Sequence, residues 1–133
     1  MNMERRIYIN NDLDVVTARL QARKMAVEMG FRTADQARIS LAASELARVI
    51  SWNAADLPGE IVLSGTAQSG QQGLRLTCAV QSKFFNSDGR DNDASSTSQA
   101  QRSLTGACQL VDESIVEEDS NQKALVTLIK WLR

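Results

Sequence analysis

Glu45 is the side chain whose setting most suggests chemistry. It lies in the run from Thr33 to Ala54, TADQARISLAASELARVISWNA, which reads as one helix. Ile39, Ala42, Ala43, Leu46 and Ile50 recur there at three- and four-residue steps and form one apolar stripe. Leu41, Glu45 and Val49 make a neighbouring row, one turn apart each. Glu45 is therefore an acid at the margin of a buried face, with small neighbours that leave room for something to approach. The commoner role for such an acid is a solvated helix residue. Other reactive chemistries fall away. The chain has no histidine, which removes His-based acid–base work, Cys–His dyads and the usual zinc sites. Cys78 and Cys108 do not form a CxxC pair; both sit in apolar contexts and read as buried free thiols.

The elements that must position Glu45 follow from patterning. Arg5 to Ile9 alternates weakly and reads as a first strand. Asn11 and Asp12 signal a helix start, and Leu13, Val16, Leu20 and Val27 mark a first helix that ends at Gly30, a natural C-terminal glycine. Arg19, Arg23 and Lys24 lie on its polar side. Thr33 caps the second helix, with Gln36 completing a capping box. Leu57, Pro58 and Gly59 make a turn, since Pro58 blocks helix continuation. Glu60 to Ala67 and Leu74 to Gln81 read as strands joined by a hairpin loop over residues 69–73. Ser82 to Ser103 is dominated by Ser, Asp, Asn, Gln and Thr and reads as a loop, because it cannot bury enough surface to offset its ordering entropy. Leu104 to Glu113 then reads as a short helix, and Ser114 to Glu118 and Ala124 to Leu132 as a closing pair of strands. This order implies one α+β domain over 1–133, a two-layer α/β sandwich with one mixed, mostly antiparallel sheet and helices on one face.

Composition narrows the function classes. The 133 residues suit one domain with a proper core. A net charge of −1 and the lack of a basic tail argue against a nucleic-acid surface. No apolar run reaches membrane-spanning length and the N-terminus lacks a signal-peptide core, so the expectation is a cytoplasmic protein with no membrane partner.

The run DQARISLAASELARVI resembles the second helix of the small serine kinases that regulate bacterial sigma factors, the RsbT, RsbW and SpoIIAB branch of the GHKL ATPases, and is most similar to the RsbT type. The likeness extends upstream through Val16 to Arg19 and Glu28 to Phe31. It extends downstream through Gly106 to Glu113 and the closing strand, and so spans nearly the whole chain. It implies the histidine-kinase-like (Bergerat) ATPase fold, with residues 82–103 as the ATP lid. In that family a Glu orients or activates the attacking hydroxyl, and an Asn four residues later holds the magnesium; Glu45 matches the Glu, but the Asn position is Val49. The adenine-reading Asp-x-Gly-x-Gly falls on Val80 to Phe84, so the Asp becomes Val80 and the glycines become Ser82 and Phe84. Of the glycine-rich end of the lid, only Gly106 remains. Arg19 falls on the first-helix arginine with which anti-sigma kinases contact their partners, and a guanidinium suits bidentate pairing with a carboxylate.

The resemblance therefore implies a degenerate kinase relative, idle at Glu45 and without its family cofactor Mg-ATP or any metal. It would act by protein binding in a bacterial partner-switching pathway of transcription and stress regulation. Its partners would be a STAS-domain anti-anti-sigma or stressosome protein, a sigma factor or a phosphatase, and a homodimer stays open. Two alternatives stand beside this reading. One is an active ATP-dependent serine/threonine kinase phosphorylating a STAS-domain protein. The other is a former pocket, lined by Val49, Val80 and Phe84, that takes an apolar metabolite.

Overall fold

In the computed structural model, residues 3–52, 59–81, 96–118 and 123–133 are described. They form β1 (Glu4–Tyr8), α1 (Asp12–Met29), α2 (Thr33–Trp52), β2 (Glu60–Gln68), β3 (Gln71–Gln81), α3 (Ser96–Gln109), β4 (Glu113–Glu118) and β5 (Lys123–Trp131). The five strands make one sheet in the order β1-β2-β3-β5-β4. Every described strand pair is antiparallel, so the sheet is narrower in type than the mixed one expected.

Period-two alternation decides which face of the sheet is covered. Leu74, Leu76, Cys78 and Val80 of β3 are buried, and their register brings them beside Ile61 and Leu63 of β2 and Ala124, Val126 and Leu128 of β5. The intervening Arg75, Thr77, Ala79 and Gln81 are only half-buried. One face thus carries the core and the other meets solvent, and the buried residues of all three helices join that single core. This is the two-layer α+β sandwich that the element order implies.

Asn11 accepts from the N–H groups of Leu13 and Asp14, while Asp14 accepts from the N–H of Asn11, so a reciprocal capping box starts α1. Gly30 ends it at φ 93°, a left-handed position that a Cβ would disfavour. At α2 the expected box is replaced. Thr33 is already the first helical residue, the N–H of Gln36 donates to the carbonyl of Arg32, and the Gln36 side-chain amide donates to the carbonyl of Phe31 at 2.8 Å.

Three further expectations change. The hairpin between β2 and β3 is a two-residue turn, Ser69–Gly70, because Gln68 pairs with Gln71; the five-residue loop read from composition is mostly strand. The expected lid is helical from Ser96 on, since Ala100, Leu104 and Ala107 recur at four and three residues and are fully or nearly buried. Two alanines outweighed a polar composition there. Residues 82–95, and the expected turn at Leu57 and Pro58, lie outside the described residues. Finally, Leu13, Val16, Leu20 and Val27 do not form the core face of α1. They are exposed, and the buried face is Ala18, Ala22, Met25 and Ala26.

Candidate functional site

α2 carries the row Leu41, Glu45, Val49 from solvent to core. Leu41 is exposed, the Glu45 side chain retains 22% of its exposure, and Val49 retains none. At about 100° per residue each four-residue step turns the row about 40° toward the apolar stripe, so Leu41 faces solvent, Glu45 lies at the margin and Val49 reaches the core. One carboxylate oxygen of Glu45 accepts from Arg48 Nη1 at 2.9 Å. An exposed pair three residues apart contributes only a few tenths of a kcal/mol, about 0.2–0.5, so it holds the carboxylate without locking it.

Val80 lies on the covered face of β3 and is 1% exposed. Val49 and Val80 both belong to the main core. Neither side chain has a donor, an acceptor or an oxygen for a cation. Ser82 and Phe84 lie outside the described residues.

Gly106 differs from its expected setting. It stands inside α3 rather than in a turn at the start of a helix, it is not among the described glycines with positive φ, and a Cβ added there would meet nothing within 4 Å. Nothing in its backbone or surroundings requires a glycine. The helix start that could offer free N–H groups is at Ser96, upstream of the Leu104 expected from sequence. Among the described residues, no group of three or more His, Cys, Asp or Glu could hold a metal ion.

The site residues are therefore divided between two surfaces. Val49 and Val80 lie in the core with Glu45 half-buried at its margin, whereas Arg19 stands exposed on α1 with no carboxylate in ion-pair range among the described residues. Cys78 and Cys108 are free thiols as read, but only Cys78 is buried and Cys108 is half-buried; burial pushes the Cys78 thiol up to about 12.

Sequence reasoning missed one cluster. Lys130 is buried on the covered face of β5, between Asp35 Oδ1 of α2 at 3.5 Å and Asp112 Oδ2 at 3.1 Å. Arg38 reaches Asp35 at 2.9 Å and Arg133 reaches Asp112 at 3.1 Å. The Trp131 N–H also donates to Asp112, and the Trp131 indole donates to Glu113. Burial pushes the Asp112 carboxyl up. The bond from Trp131, the bond and charge of Lys130 and the charge of Arg133 outweigh that and hold it below its ordinary value. The signal was a lysine in phase with Ala124, Val126 and Leu128, a charge at a core position that demands a partner. The cluster ties α2 to the last strand and to the α3–β4 connection.

No protein-family model matches the chain. It is 33% identical, over 135 residues, to the serine/threonine-protein kinase RsbT of Bacillus subtilis, and the match covers the whole of both chains. Among solved structures it is similar to the RsbU and RsbW domains of a Mycobacterium tuberculosis protein, with a TM-score of 0.61 and 18% identity; the match takes in all of this chain and 33% of that one. It is also similar to the SiaB–SiaC complex from Pseudomonas aeruginosa, with a TM-score of 0.50 and 8% identity over 99% of this chain and 89% of that one. At these identities the structural likenesses speak to the fold alone. No described helix is long and apolar enough to cross a membrane.

Proposed function

The chain belongs to the RsbT/RsbW-like family of serine/threonine-protein kinases, and from that premise we propose that it is an idle member, one that regulates by binding a partner rather than by phosphorylating it. The observation that carries this reading is the pair Val49 and Val80. They occupy the positions where the family resemblance asks for a magnesium ligand and an adenine-reading acid, and both are closed into the core. A valine supplies neither function, and each unmet polar group of a ligand costs about 1–3 kcal/mol. At 1.4 kcal/mol per tenfold, two such losses remove orders of magnitude in affinity. Gly106, drawn into a helix, supports the same conclusion from the phosphate side. These residues do not fit Mg-ATP.

What remains is a regulator within a partner-switching pathway, with Arg19 on the outer side of α1 as one binding determinant. Its partner would be a STAS-domain or stressosome protein, a sigma factor or a phosphatase. The likeness to SiaB, solved as a complex with SiaC, is in keeping with action through a bound protein. Glu45 is then held as a surface-proximal helix acid by Arg48.

A calorimetric titration with Mg-ATP up to millimolar nucleotide tests the reading. No heat of binding is expected, from the parent or from Glu45→Ala. Saturable binding that disappears in Glu45→Ala would overturn it in favour of a working serine/threonine kinase acting on a STAS-domain protein.

A further inference from the structure

The two edges of the sheet are finished differently. β1 forms one of them; Ile7 is buried there, and its cations are paired, Arg5 with Glu28 at 2.7 Å and Arg6 with Glu60 at 2.6 Å. β4 forms the other and pairs with β5 alone among the described residues. All six of its residues are exposed. Register puts Ser114, Val116 and Glu118 on the covered side of the sheet, beside the buried Leu128, Val126 and Ala124 of β5, yet Val116 is 39% exposed. The helical layer therefore stops short of β4. On the open side Ile115 is 43% exposed, and so is Leu125, which pairs with Glu117. A strand with one neighbour turns the N–H and C=O of every second residue outward without a ladder partner. At 3.4 Å per residue, that row is about 20 Å long.

We propose that β4 receives an extended basic segment of a partner protein, which adds to the sheet as a further antiparallel strand. Charge selects the occupant. Glu113, Glu117 and Glu118 are the charged residues of β4, and Glu117 and Glu118 have no ion pair among the described residues. Side chains directly opposite each other on neighbouring strands interact, so the complementary segment sets Lys or Arg against these acids and aliphatic residues against Ile115 and Val116. Main-chain hydrogen bonds supply affinity in such an addition, and the alternating side chains supply specificity. The edge is separate from Arg19 on α1 and calls for the opposite charge, so the inference goes beyond the function proposed above.

Other occupants fit less well. Charge on an edge strand ordinarily keeps it from pairing with its own kind. Two β4 strands paired antiparallel about Ile115 would set each Glu113 against the other copy's Glu117, and about Val116 each Glu117 would face Ile115. The β1 of another copy brings arginines already paired within their own chain, and head-to-tail addition of that kind builds open-ended fibres. An anionic lipid surface would repel the three acids.

The test is a fluorescence-anisotropy titration of the full chain with a peptide built on Lys-Lys-Val-Ile-Thr-Lys, whose residues would face Glu118 through Glu113 in turn, beside a counterpart with Glu at the three lysines. The basic peptide is expected to bind at least tenfold more tightly. Two N-methylated forms, at the odd or at the even amides, are expected to part company: one loses binding and the other keeps it, because only alternate N–H groups of an added strand point at β4. The double variant Glu117→Lys, Glu118→Lys is expected to keep the thermal midpoint, both side chains being exposed, and to reverse the preference between the peptides. Equal binding of the two peptides, no binding of the basic one, the same response to both N-methylated forms, or an unchanged preference in the double variant would overturn the proposal. So would self-association, or co-sedimentation with phosphatidylserine vesicles, that the basic peptide competes away. Neither nucleotide nor Arg19 enters the experiment, so its failure is separable from that of the idle-kinase reading, which stands or falls on the Mg-ATP titration.

Discussion

Lys130 shows at the scale of one residue how a charge is kept in a core. An isolated ammonium buried on the covered face of β5 would cost several kcal/mol, and the Asp35 and Asp112 carboxylates offset that cost from either side. Asp112 gives the cluster its pH dependence. Its folded value is held below the ordinary 3.8, so its contribution is complete above that value and is lost as pH falls toward the folded one. Asp112→Asn is therefore expected to lower stability at pH 7 by about 1.5–3 kcal/mol, read as a shift in the urea midpoint. The gap between variant and parent is expected to close as the pH drops below about 4. A gap as wide at pH 3 as at pH 7 would show that the carboxylate acts through shape and not charge. The lysine itself was visible in the alternation of β5. Its partners were not, because Asp35 and Asp112 come from elements that only the tertiary fold brings together.

Elements were legible where a local rule is strong. Asn11 and Gly30 mark the ends of α1 in the sequence as they do in the structure, because capping geometry is decided within a few residues. The apolar rows were harder. Leu13, Val16, Leu20 and Val27 of α1 point outward, while its inner face is three alanines and Met25. Periodicity reports that a helix has two faces, and not which of them the protein covers. The same bias hid the first turns of α3, where the first buried residue among those described is Ala100. The hairpin was blurred by its polar flanks: Gln71 and Gln72 read as loop but pair with Gln68 and Ala67. Both central residues of its turn have positive φ, 52° at Ser69 and 82° at Gly70. Glycine adopts that conformation freely, serine pays a steric cost there, and asparagine tolerates it better. Ser69→Asn is therefore expected to stabilise the protein by about 0.5–1 kcal/mol, measured as a higher midpoint in thermal unfolding. A lowered midpoint would show that the Ser69 side chain contributes something its backbone does not reveal.

On the proposed reading, the core takes in Val49 and Val80, the positions to which the family resemblance assigns a nucleotide pocket. If Val49 belongs to that core, a polar residue there must be harmful. Val49→Asn sets the amide that the resemblance implies at this position into a site with no exposure, within the same apolar core that holds Val80. The loss of packing and the unpaired amide together are expected to cost about 2–3 kcal/mol, a large share of the 5–15 kcal/mol typical of a domain. Mg-ATP is expected to give nothing back, because ligand binding stabilises only a state that offers a site. A pocket that merely lacks its ligand residue behaves in the opposite way. There the asparagine would be tolerated to within about 0.5 kcal/mol, as substitutions outside a packed core usually are. Nucleotide would then raise the midpoint, by about 2.7 kcal/mol in stability at a hundred times the dissociation constant. Urea unfolding of the parent and of Val49→Asn, each with and without millimolar Mg-ATP, separates the two cases. A variant as stable as the parent, and stabilised further by nucleotide, would mean that the fold still holds an open site and has lost only the residue that served it.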